Sequence, residues 1–176
     1  MMRFDRFTER AQDAIARSQE ILQRYGHSQL DTEHLLMAMV EQPEGVITEI
    51  LTRLDVNIDT LTGRLDELLG SSRSGYQPSG TGPAPTQLFV TPRLSRLMHV
   101  AGEEAKRLGD EYVSTEHILL AVLGVGGGAA SILGDMGVTK AKAQSAIEEI
   151  RDGQKVTDPR AETRYRVLEK YGRDLT

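Results

Sequence analysis

The chain has 176 residues, 39% hydrophobic and 27% charged, so most of it is expected to fold around a core. Lys and Arg number 21 against 26 Asp and Glu, and this net charge of −5 argues against a nucleic-acid partner. The absence of cysteine excludes disulfides and thiolate chemistry. Because no signal peptide opens the chain and no apolar run approaches the roughly 18 residues of a membrane span, we expect a cytoplasmic protein without a membrane partner.

An internal duplication at an offset of 83 residues organises the sequence. Thr8–Val40 aligns without gaps on Thr91–Leu123, and ten of the 33 pairs are identical, where chance would give about two or three. After a one-residue gap the match resumes, with Ile50-Leu51 opposite Ile132-Leu133. Two copies of so long a unit predict a pseudo-two-fold globule, in which each half covers the apolar face of the other, rather than a solenoid.

The first predicted helix of each repeat begins after a threonine and ends before a glycine. Thr8 and Thr91 are good N-caps, and Pro92 takes the favoured first helical position. Apolar residues follow at helical spacing, and Gly26 and Gly109 are natural helix stops.

The second predicted helix of each repeat is apolar on nearly all sides and is therefore expected at the buried centre of its unit. Asp31 or Ser114 caps it, which places an acidic residue in the first turn and a histidine at the third helical position. The remaining helices are predicted over Val46–Leu54 and Ile58–Leu69 in the first repeat, and over Ala129–Met136 and Lys140–Arg151 in the second.

The sequence thus predicts an all-α fold made of a double four-helix repeat with pseudo-two-fold symmetry and no β-strand. The first repeat is assigned to 1–69 and the second to 88–152. A Gly/Ser/Pro-rich linker at 70–87 joins them. Residues 153–176 are interpreted as a connector toward a segment outside this chain, with a ninth, C-terminal helix over Ala161–Tyr171.

Three features of the sequence are weak signals of nucleotide binding, metal binding or catalysis. Gly124–Ala129 matches part of a dinucleotide fingerprint, but a predicted helix precedes it where a strand is required. A metal site built from Glu33, His34, Glu116 and His117 lacks the His-Glu-x-x-His spacing, so no metal ligand is assigned. No catalytic residue is assigned either, because no nucleophile elbow or acid–base pair stands out. A small stand-alone enzyme or metal-binding helical protein remains the remote alternative.

The pairs Thr8 with Glu33 and Thr91 with Glu116 are the candidate binding residues. In the structural interpretation, each threonine caps a helix and each glutamate complements a helix dipole. In the functional interpretation, free N–H groups at the helix N-termini hold an anion while the carboxylate attracts a cation, as a phosphorylated guanidinium requires.

The sequence resembles the Clp family of AAA+ unfoldases and disaggregases over essentially its whole length. The segments that resemble the opening of ClpC are Arg6–Gln12, Gly26-His27 and Thr32–Leu36, and in the second copy Val90–Arg93 and Tyr112–Leu120. The tail, Gly153–Pro159 with Leu168–Thr176, looks instead like ClpB, where it joins the N-domain to the first AAA+ module. In combination, the doubled Thr-Glu-His motif and this tail are highly specific.

This resemblance implies a non-catalytic N-terminal domain that sits above a hexameric AAA+ ring. The implied partners are unfolded, aggregated or tagged proteins, adaptor proteins, the ring itself and, for a ClpC-like parent, a Clp peptidase. It implies no cofactor in this chain, since ATP and Mg²⁺ belong to the ATPase modules. A ClpC-like domain would bind phosphoarginine at the pairs matching Thr8 with Glu33 and Thr91 with Glu116. A ClpB-like domain would bind exposed apolar segments with no phosphoarginine role, and the sequence leaves both open.

Overall fold

The computed structural model describes residues 6–42, 45–71 and 89–151. Within these ranges the chain forms eight helices and two very short strands, so the predicted all-α fold of two four-helix repeats is confirmed. The first repeat contains α1 (Glu9–Arg24), β1 (Gln29–Leu30), α2 (Thr32–Glu41), α3 (Val46–Arg53) and α4 (Ile58–Ser71). The second contains β2 (Phe89–Val90), α5 (Pro92–Arg107), α6 (Thr115–Val125), α7 (Gly128–Asp135) and α8 (Lys140–Arg151).

The boundaries of α1 and α5 follow from their capping residues. The Oγ1 atoms of Thr8 and Thr91 each accept a hydrogen bond of 3.1 Å from the backbone N–H three residues further on. Gly26 and Gly109 follow the C-caps with φ of +69° and +76°, a left-handed conformation that favours glycine. The predicted starts and stops of both helices are therefore confirmed.

The helices α2 and α6 form the centre of the core. Seven consecutive residues of α2 and eight of α6 are buried, namely His34–Val40 and Thr115–Val122. They contact each other across the pseudo-two-fold axis, and α1 and α5 each pack along one of them. Helices that are apolar all round must be covered on every side, which explains why one repeat alone does not enclose its own α2 or α6.

The two repeats cover each other by exchanging contacts across the axis. Helix α3 packs on α8 and α6, and α7 packs equivalently on α4 and α2. The N–H of Thr8 donates to the carbonyl of Val113 at 2.9 Å, and the N–H of Thr91 donates to the carbonyl of Leu30 at 3.1 Å. Each repeat therefore begins on a backbone hydrogen bond to the other.

Two details differ from the sequence predictions. The first is that β1 and β2 pair in parallel, with Gln29 opposite Phe89 and Leu30 opposite Val90. Strands of two residues are too short to show an alternating pattern, so the sequence did not reveal them. The second is that α4 continues to Ser71, past the predicted repeat boundary at 69. The predicted helix Ala161–Tyr171, like the rest of the connector and nearly all of the linker, lies outside the described residues.

Among the described residues no single helix is long and apolar enough to span a membrane. Helices α6 and α7 pass that test of length and composition only together, and they are bent by 94° relative to each other.

Candidate functional site

The N-termini of α2 and α6 are closed by histidines in the same way. The backbone N–H of Asp31 donates to Nδ1 of His34 at 3.0 Å, and the N–H of Ser114 donates to Nδ1 of His117 at 2.8 Å. Because Nδ1 accepts in both cases, the N–H that each ring can offer to a further neighbour lies on Nε2. The predicted position of these histidines at the third residue of each helix is confirmed, and there their side chains close the capping turn.

The two repeats differ in what receives the Nε2–H of this histidine. In the first repeat His34 Nε2 lies 2.9 Å from Nδ1 of His27, whereas in the second His117 Nε2 lies 2.7 Å from Oδ2 of Asp110. Burial lowers the pKa of His34 to about 4, with a further contribution from His27. The first repeat therefore has a pair of imidazoles where the second has an imidazole beside a carboxylate.

A cavity of about 210 Å³ opens at the N-terminus of α2, between the two repeats. Its lining residues are His27, Gln29, Asp31, Glu33, His34, Leu68, Leu69, Thr91 and Arg93. Burial, followed by the nearby Asp31 carboxylate, raises the pKa of Glu33, although a hydrogen bond from the backbone of Gly128 and the charge of Arg93 oppose this. We refer to this space as the Glu33 cavity.

A cation already stands at the edge of the Glu33 cavity. Nη1 of Arg93 lies 3.3 Å from Oδ2 of Asp31, and the arginine side chain is 41% exposed. The cavity thus presents the Glu33 carboxylate, an Asp31–Arg93 ion pair at its edge and the apolar side chains of Leu68 and Leu69. This lining suits a ligand that combines a cationic group with an apolar stem.

In the second repeat a guanidinium fills the equivalent position. Nε of Arg151 lies 2.8 Å from Oε2 of Glu116, and its Nη1 lies 2.9 Å from Oδ2 of Asp110. Arg151 is only 5% exposed and Glu116 is fully buried.

The repeat alignment explains why one position is open and the other closed. With the one-residue gap, the residue equivalent to Arg151 is Leu69, a buried side chain that lines the Glu33 cavity and brings no cation. The asymmetry extends to the threonines, because Thr8 is fully buried whereas Thr91 is half-buried. Glu33 and Thr91 are therefore the accessible members of the four predicted residues.

The structure groups the predicted residues across the repeats. Glu33 lines its cavity together with Thr91 of the other repeat, and Thr8 is not among the residues that line it. This differs from the pairing of Thr8 with Glu33 and of Thr91 with Glu116 within each repeat. On the opposite side, Thr8 is hydrogen-bonded to Val113, in the segment that leads into the helix carrying Glu116.

Sequence reasoning missed four contributors to these sites, namely His27, Arg93, Asp110 and Arg151. The alignment did contain a signal, because His27 opposite Asp110 and Leu69 opposite Arg151 are changes of charge within otherwise similar units. Within 6–42, 45–71 and 89–151, no group of three or more His, Cys, Asp or Glu side chains is placed to hold a metal ion.

Comparison with known proteins identifies the double repeat. A family model described as the Clp repeat N-terminal domain matches residues 6–136. The chain belongs to this family.

The similar curated proteins are ClpB chaperones. The chain is 36% identical to the chaperone protein ClpB of Nitratidesulfovibrio vulgaris over 178 aligned positions, and 33% identical to that of Bacillus cereus over 174. In both cases the alignment covers 99% of this chain but only 20% of the relative. The similarity thus extends over nearly all of this chain, which spans about one fifth of the relatives' length.

Solved structures confirm the fold. The Hsp104 N-terminal domain from Candida albicans superimposes with a TM-score of 0.73 at 20% identity, over 90% of this chain and 99% of that one. The ClpV N-domain in its complex with a VipB peptide superimposes with a TM-score of 0.61 at 14% identity, over 81% of this chain and 85% of that one.

Proposed function

We propose that this domain recruits unfolded or aggregated proteins, directly or through adaptor proteins, to an AAA+ ring belonging to the same cytoplasmic protein. In this proposal the domain acts by binding, and ATP hydrolysis belongs to modules outside this chain. The observation that carries the proposal is the Glu33 cavity, an accessible acidic and apolar space at the junction of the two repeats. The peptide bound to the ClpV N-domain supports it by showing that this fold can hold a protein segment.

The finer proposal is that the Glu33 cavity recognises arginine in the client chain, including phosphoarginine. The Glu33 carboxylate and Asp31 supply the negative charge that a guanidinium needs, while Leu68 and Leu69 can contact the aliphatic stem of the side chain. A phosphoryl group on that guanidinium would be placed toward Arg93 and Thr91. Each charge-assisted hydrogen bond would contribute about 1.5–3 kcal/mol, so binding at one cavity is weak and six domains in a ring would add avidity.

The second candidate is binding of exposed apolar segments with no role for arginine or its phosphorylated form. The leucines of the Glu33 cavity favour this alternative, because they offer apolar contact whatever the charge of the client. The ClpB names of the curated relatives also favour this alternative, because a ClpB-like domain is the one expected to bind apolar segments without a phosphoarginine role.

Titration of the ¹⁵N-labelled chain with three peptides of otherwise identical sequence separates these candidates. The peptides carry arginine, phosphoarginine or norleucine at one position in an apolar context. If arginine is recognised, the arginine and phosphoarginine peptides shift the amide signals near Glu33 and Thr91, and the norleucine peptide does not. Glu33→Gln should then weaken binding of those two peptides at least tenfold, a loss of about 1.4 kcal/mol. If the norleucine peptide binds equally well to the wild-type chain and to Glu33→Gln, the apolar alternative is favoured.

The matched control is Glu20→Gln, which removes the same charge from an exposed position on α1. It is expected to leave all three affinities unchanged. A reduced and alkylated unfolded protein then tests the general function. If it causes no shifts anywhere in the domain, direct recruitment of unfolded chains is wrong.

A further inference from the structure

The contact between Arg151 and Glu116 has the geometry of a bound arginine side chain. The Nε–H of the guanidinium donates to Glu116 at 2.8 Å, and its Nη1 lies 2.9 Å from a carboxylate oxygen of Asp110. Two carboxylates therefore contact different edges of one planar group. All three side chains are at least nine-tenths buried. Such convergence of oriented acceptors on a guanidinium is how proteins recognise arginine.

The first repeat contains the same recognition unit without an internal guanidinium. Glu33 is the equivalent of Glu116, and the capping histidine occurs in both repeats. Three changes of charge distinguish them, because the second repeat has Asp110 in place of His27, Ser114 in place of Asp31 and Arg151 in place of Leu69. Each site therefore has two carboxylates, but only in the second repeat do both of them contact a guanidinium from their own repeat.

We propose that Arg151 is an intramolecular ligand that closes the second of two duplicated guanidinium sites. The domain then presents one open site, at Glu33, and one self-occupied site, at Glu116. The open site rests on the proposed function, whereas the occupation of Glu116 by Arg151 does not. An external arginine reaches Glu116 only when Arg151 leaves it.

The contact of Arg151 with Glu116 and Asp110 also fixes the position of the C-terminal end of α8. Arg151 is the last residue of α8, and its side chain is held against the N-terminal turn of α6. The C-terminal end of α8 is therefore anchored by Glu116 and Asp110. Release of Arg151 would free this anchor and expose a second binding site in the same event.

The occupation of Glu116 can be tested in the unmodified 176-residue chain by following the side-chain Nε–H signal of Arg151. We expect its hydrogen to exchange with water much more slowly than those of exposed arginines, and Glu116→Gln to abolish this protection. Glu20→Gln serves as the control that should leave it unchanged. Fast exchange of the Arg151 signal in the wild-type chain would overturn the inference, whatever the variants do.

The number of sites is tested by calorimetric titration with N-acetyl-arginine methylamide. We expect one site in the wild type, two in Arg151→Ala and one again in Arg151→Ala with Glu116→Gln. If a folded Arg151→Ala chain binds no more N-acetyl-arginine methylamide than the wild type, Glu116 is not a guanidinium site that Arg151 closes. If the wild type binds nothing while Arg151→Ala binds one equivalent at Glu116, arginine recognition at Glu33 is wrong and self-occupation is supported.

Arg151→Lys provides a second variant if Arg151→Ala does not fold. The lysine keeps one positive charge but lacks the planar fork that contacts both carboxylates. We expect this chain to fold and to admit N-acetyl-arginine methylamide at Glu116 more weakly than Arg151→Ala would. A folded Arg151→Lys chain that binds only the equivalent found in the wild type would contradict the inference.

Discussion

The carboxylate of Glu33 lies directly against the backbone of Gly128, the first residue of α7 in the other repeat. A Cβ at position 128 would overlap Oε2 of Glu33 and would lie 2.7 Å from a methyl carbon of Leu68. The absence of a side chain at this glycine is therefore what lets the glutamate take its position in the cavity.

We expect Gly128→Ala to displace Glu33 and to lower the stability of the fold. Because the new methyl group meets only the ends of two flexible side chains, the cost should stay below about 1 kcal/mol, and the better helix propensity of alanine offsets part of it. Binding at the Glu33 cavity should fall together with stability. Urea denaturation and peptide titration measure the two effects.

Gly134→Ala is the matched control for this substitution. It lies in the same helix, and a Cβ there meets nothing within 4 Å. Alanine should stabilise α7 by up to about 1 kcal/mol and leave peptide binding unchanged. Equal effects of the two substitutions would show that the contact with Glu33 is unimportant.

The stability of the domain should fall as the pH is lowered through the range set by His34. The pKa of this histidine falls from an ordinary value of 6.5 to about 4, since burial disfavours the charged form. The unfolded chain therefore takes up the proton first, and the loss of stability begins near pH 6.5 and amounts to about 3 kcal/mol by pH 4. Denaturation at a series of pH values measures this slope.

His34→Gln separates this effect from other titrations. Glutamine at the third helical position can still bond to the N-cap backbone, so the capping turn is kept while the titrating group is removed. The raised pKa of Glu33 acts in the opposite direction, because protonation of that carboxyl favours the folded state as the pH falls. Because the variant lacks the His34 imidazole, its free energy of unfolding should change less between pH 6.5 and pH 4 than that of the wild type. An unchanged slope would contradict the assignment to His34.

The ion pairs of Glu104 are expected to contribute little net stability. This carboxylate on α5 is buried, and Lys140 Nζ lies 2.6 Å from it while Arg107 also contacts it. Burial alone would raise the pKa of Glu104, but hydrogen bonds from the two cations outweigh burial and lower it. The equivalent residue of the first repeat is Ile21, which is buried without any charge.

Glu104→Ile should consequently keep the unfolding free energy at pH 7 within about 1 kcal/mol of the wild type, because both cations can return to water. Glu104→Ala leaves a void and should cost more. The free energy of unfolding of the two variants measures the difference. A loss of several kcal/mol in the isoleucine variant would show that the ion pairs do stabilise the fold.

Cutting the linker within 72–88 should leave the two repeats associated. Each repeat supplies the backbone partner with which the other begins, through Thr8 with Val113 and Thr91 with Leu30. The cut chain should therefore elute as one particle and retain its helical circular dichroism. A fragment of residues 1–71 alone should not unfold cooperatively, because the helices that cover its core are missing. A sharp transition of that fragment would contradict this mutual covering.

Much of the local structure could be predicted because it depends on residues close together in sequence. The caps at Thr8 and Thr91, the glycine stops and the capping histidines all lie within one helical turn of the backbone groups they satisfy. The duplication added the symmetry of the fold, since it required two equivalent units with shared apolar faces.

The grouping of the site residues could not be predicted in this way. Whether Glu33 faces the threonine of its own repeat or of the other depends on how the units cross at the axis, and no local pattern encodes that. The inward turn of Arg151 was equally hidden, because an arginine at the end of a helix usually stays in solvent and complements the dipole. Only the packing of α8 against α6 shows that this one is buried.

The crossing of the two repeats also bears on how their sites diverged. Two identical chains assembled in this way would be bound by symmetry, so that any substitution would alter both cavities at once. Fusion into one polypeptide lifts that restriction, and a leucine at the end of α4 can coexist with an arginine at the end of α8. A duplicated chain can therefore present two distinguishable faces on one symmetric architecture.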